Sequence, residues 1–299
     1  MIVSCPICKN KKWEIFLKLD EFNILRCKFC GIKRKEFEKD LNFNFEDWYN
    51  KDYFSFLVEK REFFKKDLHF PKIELIKKFK KNGKFLDIGC GLGIAVEIAL
   101  EEGFDVWATD VSSYAISYVK EKFNIPCYKG EIENAPFPQN FFDVIYIHHV
   151  LEHVIEPVEF LKKVKKFLNK DGIILIAVPN IKSIYLKIYR KNFHIFQKEH
   201  LWYFDIFSLR KILKKVNLKL CYYKTNIILE TQLGWISICL NNITSSKNFK
   251  GLSMNFLRKI WRLFSANLRS KIFKIFHKLS NFIFSKLKIG DDLLIIVKK

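Results

Sequence analysis

Residues 85–93 read Phe-Leu-Asp-Ile-Gly-Cys-Gly-Leu-Gly, and Asp110 closes the apolar run that follows. A short apolar strand enters a glycine-rich turn, and the turn feeds a helix over Ile94–Glu101. Glycine lets a backbone approach a ligand where a Cβ would hold it off. The same turn aims the first amides of the helix at that ligand. The next strand, residues 104–109, delivers Asp110 to its carboxyl end, where a carboxylate accepts hydrogen bonds from both hydroxyls of a ribose. The stretch implies a nucleoside held at the carboxyl edge of a parallel sheet.

The glycines are Gly89, Gly91 and Gly93, with Ile94 where a dinucleotide fingerprint requires glycine. That spacing, with Asp87 two residues ahead, resembles the first motif of S-adenosylmethionine-dependent methyltransferases with a Rossmann-like core. More of the family pattern follows in order. Residues 130–137 resemble the loop after the third strand, where an acidic residue meets the adenine amino group; Glu131 stands where the family usually carries Asp. Residues 141–147 resemble the fourth strand, 148–153 the segment after it, and 172–180 the fifth strand and its exit. Residues 199–204, then 208–210, resemble a subgroup that modifies mostly small molecules, sugars and lipid-linked metabolites.

The resemblance covers roughly residues 50–232 plus the last strand. It implies an α/β Rossmann-like methyltransferase core, with a mostly parallel seven-stranded sheet whose last strand is antiparallel. It also implies S-adenosyl-L-methionine as cofactor. Asp87 would anchor the methionine end, with Gly89, Gly91 and Gly93 permitting close approach. Asp110 would hold the ribose, Val111, Glu131 and Ile132 would flank the adenine, and His148 would join the cofactor side.

Local signals agree with alternating strands and helices. Ser112 or Ser113 can cap a helix running to Phe123. Pro157 suits the first turn of a helix ending near Asn169, and Ser208 can cap residues 209–216. Residues 291–297 read as a final strand, and residues 56–68 and 72–80 carry helical patterns.

Ahead of the core, Cys5-Pro-Ile-Cys8 and Cys27-Lys-Phe-Cys30 form two Cys-x-x-Cys pairs. Two tight turns, each giving two thiolates, supply the four soft ligands of tetrahedral Zn²⁺. Gly31 suits the second turn, and residues 13–19 and 22–25 can form short strands between the pairs. The pattern reads as a zinc ribbon whose closed site is structural or positions substrate. Cys90, Cys127, Cys221 and Cys239 are scattered and read as small buried apolar residues.

The chain has 299 residues and a net charge of +21. Residues 231–290 hold eleven Lys or Arg and no Asp or Glu. Their apolar residues recur at helical spacing over 254–288. A basic amphipathic helix of this kind suits an anionic membrane surface, with an apolar cap on the core and nucleic acid as the competing readings. No apolar run is long enough to span a bilayer and no secretory signal is visible, so a cytoplasmic protein, peripheral on the inner face of the membrane, is expected.

The domain reading is 1–36 zinc ribbon, 37–82 helical linker, 83–232 methyltransferase core, 233–290 basic amphipathic helical insertion and 291–299 final core strand. Methyl transfer to a hydroxyl is helped by a base, and His153, His200 and His149 are the candidates. The expected acceptor is a sugar, a lipid-linked glycan or a similar small hydroxylated molecule at the cytoplasmic membrane face. A zinc-ribbon rRNA or tRNA base methyltransferase and a non-catalytic membrane-associated scaffold are the alternatives.

Overall fold

The computed structural model describes residues 4–36, 49, 52–54, 58, 61, 64–228 and 278–299. Two sheets organise them. The larger has seven strands: β4 (Lys84–Ile88), β5 (Asp105–Asp110), β6 (Cys127–Lys129), β7 (Phe142–His148), β8 (Leu168–Pro179), β10 (Lys219–Asn226) and β11 (Asp292–Lys298). Their order across the sheet is β10-β11-β8-β7-β4-β5-β6. Strands β4–β8 run parallel, and β11 lies antiparallel between β8 and β10.

Alternate residues of the central strands go to opposite faces, and both faces are covered. Leu86, Ile145 and Ile174 pack on one side against α4 (Pro157–Phe167) and α6 (Ile206–Lys215), between which the chain forms the short α5 (Ile184–Tyr189). Phe85, Val144 and Ile173 pack on the other against α1 (Phe70–Lys77), α2 (Ile94–Glu101) and α3 (Ser113–Phe123). The strand order changes direction between β4 and β7. There the loops after the two strands diverge and leave a crevice at the carboxyl edge.

The second sheet is small and antiparallel: β1 (Trp13–Lys18), β2 (Asn23–Cys27), β3 (Lys33–Lys35) and β9 (Trp202–Tyr203). Only the first three strands come from the cysteine-rich segment. The fourth comes from the core chain, so the ribbon is stitched to the core by backbone pairing. A buried Lys33–Asp205 ion pair at 3.3 Å and a bond from Lys211 Nζ to the Cys30 carbonyl at 2.6 Å add to that seam.

Several local expectations hold. α2 spans Ile94–Glu101, and Ser112 caps α3 by accepting from the Ala115 amide at 3.2 Å. Others change. Ser208 is not the cap of α6: Asp205 is, and Ser208 closes the reciprocal half of a capping box three residues in. Residues 64–69 form a π-helical turn that runs straight into α1, where Pro71 has no amide to donate. Cys90 is buried as expected, but Cys221 is exposed. Cys239 and residues 233–277 of the basic segment lie outside the described residues.

Candidate active site

The glycine turn shows why the motif has its spacing. Gly89 (φ +72°) donates its amide to Thr109 O at 2.8 Å, and a Cβ there would fall 2.4 Å from Val150 Cγ2. Gly91 (φ +50°) turns its amide to Asp110 Oδ2 at 2.9 Å. Both glycines line a cavity of about 970 Å³ at the carboxyl edge of the sheet. Gly93 does not line it. A Cβ on Gly93 would meet Phe123 at 2.7 Å and Val119 at 2.9 Å, so this third glycine serves the packing of α2 on α3 and not ligand approach.

Asp87, Asp110, Val111, Glu131, Ile132 and His148 all line the same cavity. Asp110 is 8% exposed, and its second oxygen accepts from the Ser112 amide at 2.9 Å. Burial raises its pKa, and the two amides pull it back. Asp87 is pushed up to about 8 by burial, with Asp110 adding to the shift. A cradle of glycines with a fixed carboxylate beside it is a cavity wall of the kind a nucleoside-containing cofactor requires, since a carboxylate can accept from ribose hydroxyls.

Aromatic side chains close the cavity from outside the core. Tyr53 lines it, and so do Tyr49 and Phe54. Phe54 stacks on Tyr114 at 5.9 Å, and Tyr49 meets His153 edge-on at 6.2 Å. The Tyr49 carbonyl accepts from Ser112 Oγ at 2.6 Å, which ties this segment to the ribose loop. Tyr49 has no motif around it, so only the fold reveals it.

The chain has seven histidines, and six of them (His69, His148, His149, His153, His194, His200) line this one cavity. The three proposed bases differ in state. His153 Nδ1 donates to Glu199 O at 3.0 Å, and burial lowers this imidazole to about 4. His200 Nδ1 donates to Ile195 O at 2.7 Å, and burial lowers it further. Both are therefore neutral near pH 7 and carry their lone pair on Nε2. Burial also pulls His149 down, but Asp292 at 3.3 Å and Glu152 at 3.5 Å more than offset this and raise it. Neighbours that favour the charged form make His149 better suited to charge placement than to proton abstraction. It also adopts φ +54°, a rare conformation for a side-chain-bearing residue.

The cysteine cluster fits a tetrahedral ion. All four sulfurs lie within 4.8 Å of one another, with Cys5–Cys30 at 3.3 Å and Cys8–Cys27 at 3.5 Å. Zinc–sulfur bonds of about 2.3 Å imply sulfur separations of about 3.8 Å. The two knuckles share one pattern. Lys9 N donates to Cys5 O at 2.8 Å and Gly31 N to Cys27 O at 2.9 Å, with Lys9 at φ +58° and Gly31 at φ +76°. The Cys5 and Cys30 thiols share a hydrogen bond, which lowers the pKa of Cys30 and raises that of Cys5.

A nucleoside cradle at the switch point of a parallel sheet, with an antiparallel strand inserted beside the fifth, defines the Rossmann-like S-adenosylmethionine-dependent methyltransferases. The chain belongs to the methyltransferase-domain family, which matches residues 59–222, more than half of its length. It is 30% identical over 136 residues to an uncharacterized protein of Methanocaldococcus jannaschii, covering 45% of this chain and 59% of that one. It is 34% identical over 126 residues to the ubiquinone biosynthesis O-methyltransferase of Pelagibacter ubique, covering 38% and 52%. It is 30% identical over 105 residues to the ubiquinone/menaquinone biosynthesis C-methyltransferase of Campylobacter jejuni, covering 32% and 45%. The chain thus spans about half the length of these relatives. Among solved structures, a SAM-dependent methyltransferase from Archaeoglobus fulgidus shares the fold with a TM-score of 0.52 at 21% identity, over 82% of this chain and 99% of that one.

Proposed function

We propose that this methyltransferase transfers the methyl group to a hydroxyl of a small molecule, with sugars and lipid-linked glycans the acceptors to assay first. The observation that carries this reading is the single cavity holding both the glycine cradle and a wall of Tyr49, Tyr53, His153 and His200. Aromatic rings offer flat apolar faces to a sugar or ring acceptor, and neutral imidazoles offer lone pairs to its hydroxyl. In-line placement against the sulfonium supplies much of the rate. The relatives named for quinone biosynthesis make phenolic ring hydroxyls the second acceptor class to try. Incubation with methyl-labelled S-adenosylmethionine and panels of both classes tests the reading. Label appearing only in RNA would overturn it.

In this reading Cys5, Cys8, Cys27 and Cys30 hold one structural Zn²⁺. Elemental analysis should find about one tightly held zinc per chain in this site, lost on Cys27→Ser. Zinc retained at full occupancy in that variant would remove the assignment.

The membrane face belongs to the same proposal. Residues 278–287 are helical and leave Leu279, Phe282, Ile283 and Leu287 exposed beside Lys278 and Lys286. Among the described residues no helix is long and apolar enough to cross a bilayer, so any attachment through this helix is peripheral. A specific observation also favours the RNA reading. A second cleft of about 630 Å³ is lined by Arg26, Lys182, Arg210, Lys211 and Lys214 beside exposed Phe207. RNA bound there would dissociate steeply with salt.

Asp87 makes cofactor binding depend on pH. The ammonium of the methionine end binds the ionised carboxylate, and in the free site that carboxyl titrates at about 8. Affinity should therefore rise with pH from 6 towards 8, by up to about tenfold per unit. It should flatten in Asp87→Asn. Calorimetry in buffers of different ionisation enthalpy measures both the affinity and the released proton. A flat profile in the unmodified chain would place the ammonium elsewhere.

A further inference from the structure

Glu152 presents a problem that the methyltransferase reading leaves unsolved. Its side chain is fully buried, and neither carboxylate oxygen has a hydrogen-bond partner among the described residues. One oxygen faces His149 Nδ1 at 3.5 Å, too long for a hydrogen bond. His149 meets that oxygen as an ion-pair partner only, and a buried carboxyl group that makes no hydrogen bond at either oxygen is costly unless a further ligand engages it.

The neighbours of Glu152 are of the kind that bind metals. One ligand atom each from Glu152, His153 and His200 lies within 4.8 Å of the other two. The His153 and His200 rings stand 4.8 Å apart at 71°. Each gives its Nδ1 proton to a backbone carbonyl, Glu199 O for one and Ile195 O for the other. That outer hydrogen bond fixes the tautomer and orientation, and it is the second-shell arrangement found at metal-bound histidines.

We propose that Glu152, His153 and His200 form a second metal site, which holds a divalent ion of the zinc, manganese or iron(II) type beside the acceptor end of the cavity. Two nitrogens and one carboxylate suit these borderline ions and leave coordination positions open. Bonds of about 2.1 Å around a tetrahedral ion need ligand separations of about 3.4 Å, a modest contraction of the cluster. The site differs in kind from the cysteine cluster, whose four thiolates fill a closed shell. His153 and His200 reach the cavity wall, so an acceptor oxygen can complete the shell from that side. An ion there would acidify a bound acceptor hydroxyl, whose proton would pass to solvent water, while the lone pairs of the two histidines hold the ion. That service to an acceptor rests on the methyltransferase reading, whereas binding of the ion does not.

The test uses the full chain with its cysteine site already zinc-loaded. Mn²⁺ is titrated in and followed by electron paramagnetic resonance. One further ion per chain is expected. Glu152→Gln and His200→Ala should each weaken it at least about tenfold, with S-adenosylmethionine affinity showing that the core is folded. Should both variants misfold, Co²⁺ added to the zinc-loaded unmodified chain decides. The expected spectrum has weak ligand-field bands without the intense thiolate charge-transfer band. The proposal is overturned if the zinc-loaded chain binds neither ion up to millimolar concentration. Unchanged Mn²⁺ affinity in both folded variants, or a thiolate spectrum for the cobalt, overturns it equally. Failure of metal binding with intact S-adenosylmethionine binding would leave the methyltransferase reading standing.

Discussion

Asp110→Ala is expected to weaken S-adenosylmethionine binding by about 100-fold or more while the core stays folded. The carboxylate is buried, and it already orders two loop amides, Gly91 N and Ser112 N, at 2.9 Å each. In the proposed complex it would also accept from the ribose hydroxyls. Hydrogen bonds to a charged group are worth about 1.5–3 kcal/mol each, so losing two costs about 3–6 kcal/mol of binding. The alanine also leaves the Gly91 amide without its partner and frees the glycine turn. Asp110→Asn keeps the shape and loses the charge, so its defect should be the smaller. Calorimetry of the three proteins measures the series. Affinity within threefold of the unmodified chain in Asp110→Ala would mean the nucleoside lies elsewhere.

Asp292→Ala is the largest expected loss of stability, about 3–5 kcal/mol. Asp292 begins β11 and is 1% exposed. Its carboxylate meets Lys72 Nζ of α1 at 3.0 Å and His149 Nε2 at 3.3 Å. Removing it leaves the buried Lys72 ammonium without this counter-ion and takes from His149 one of its two carboxylate neighbours. Burial alone would raise this carboxyl, but Lys72 and His149 override it and hold the pKa well below the usual range. Since the folded carboxyl titrates below its unfolded value of about 4, its stabilisation is full above that pH and is lost as pH falls toward the folded value. Replacing Lys72 and Asp292 together by apolar residues should cost less than either single change. Urea unfolding at pH 7 and at pH 3 would measure both effects. A loss below about 1 kcal/mol at pH 7 would show that the charges are compensated in another way.

Much of the cofactor half was legible because it is local. The spacing of Gly89 and Gly91, the strand ending in Asp110 and the helix beginning at Ile94 are neighbours in sequence and in space. Gly93 was read as part of the cradle because the sequence does not show that Phe123 and Val119 occupy its far side. Ser208 was read as a cap for a similar reason. Both Asp205 and Ser208 can accept from helix amides, and only the backbone turn at Asp205 decides between them. The acceptor half was legible in part. His149, His153 and His200 were found through the resemblance, but their differing states follow from partners far along the chain. His149 and Asp292 are 143 residues apart, and His153 and Glu199 are 46 apart.

The sequence by itself determined the two cysteine knuckles, the glycine turn, the place of Asp110 at the end of its strand and the alternation of strands and helices. Each of these is set by side-chain type and backbone conformation over a few consecutive residues. Tertiary structure alone decided that β9 would join the ribbon to the core, that Tyr49 would wall the cavity, that six histidines would line it, and that Glu152 and Asp292 would both face His149. Those contacts depend on strand order and loop path, because burial and charge pairing act between residues wherever the chain brings them, and no local spacing records that.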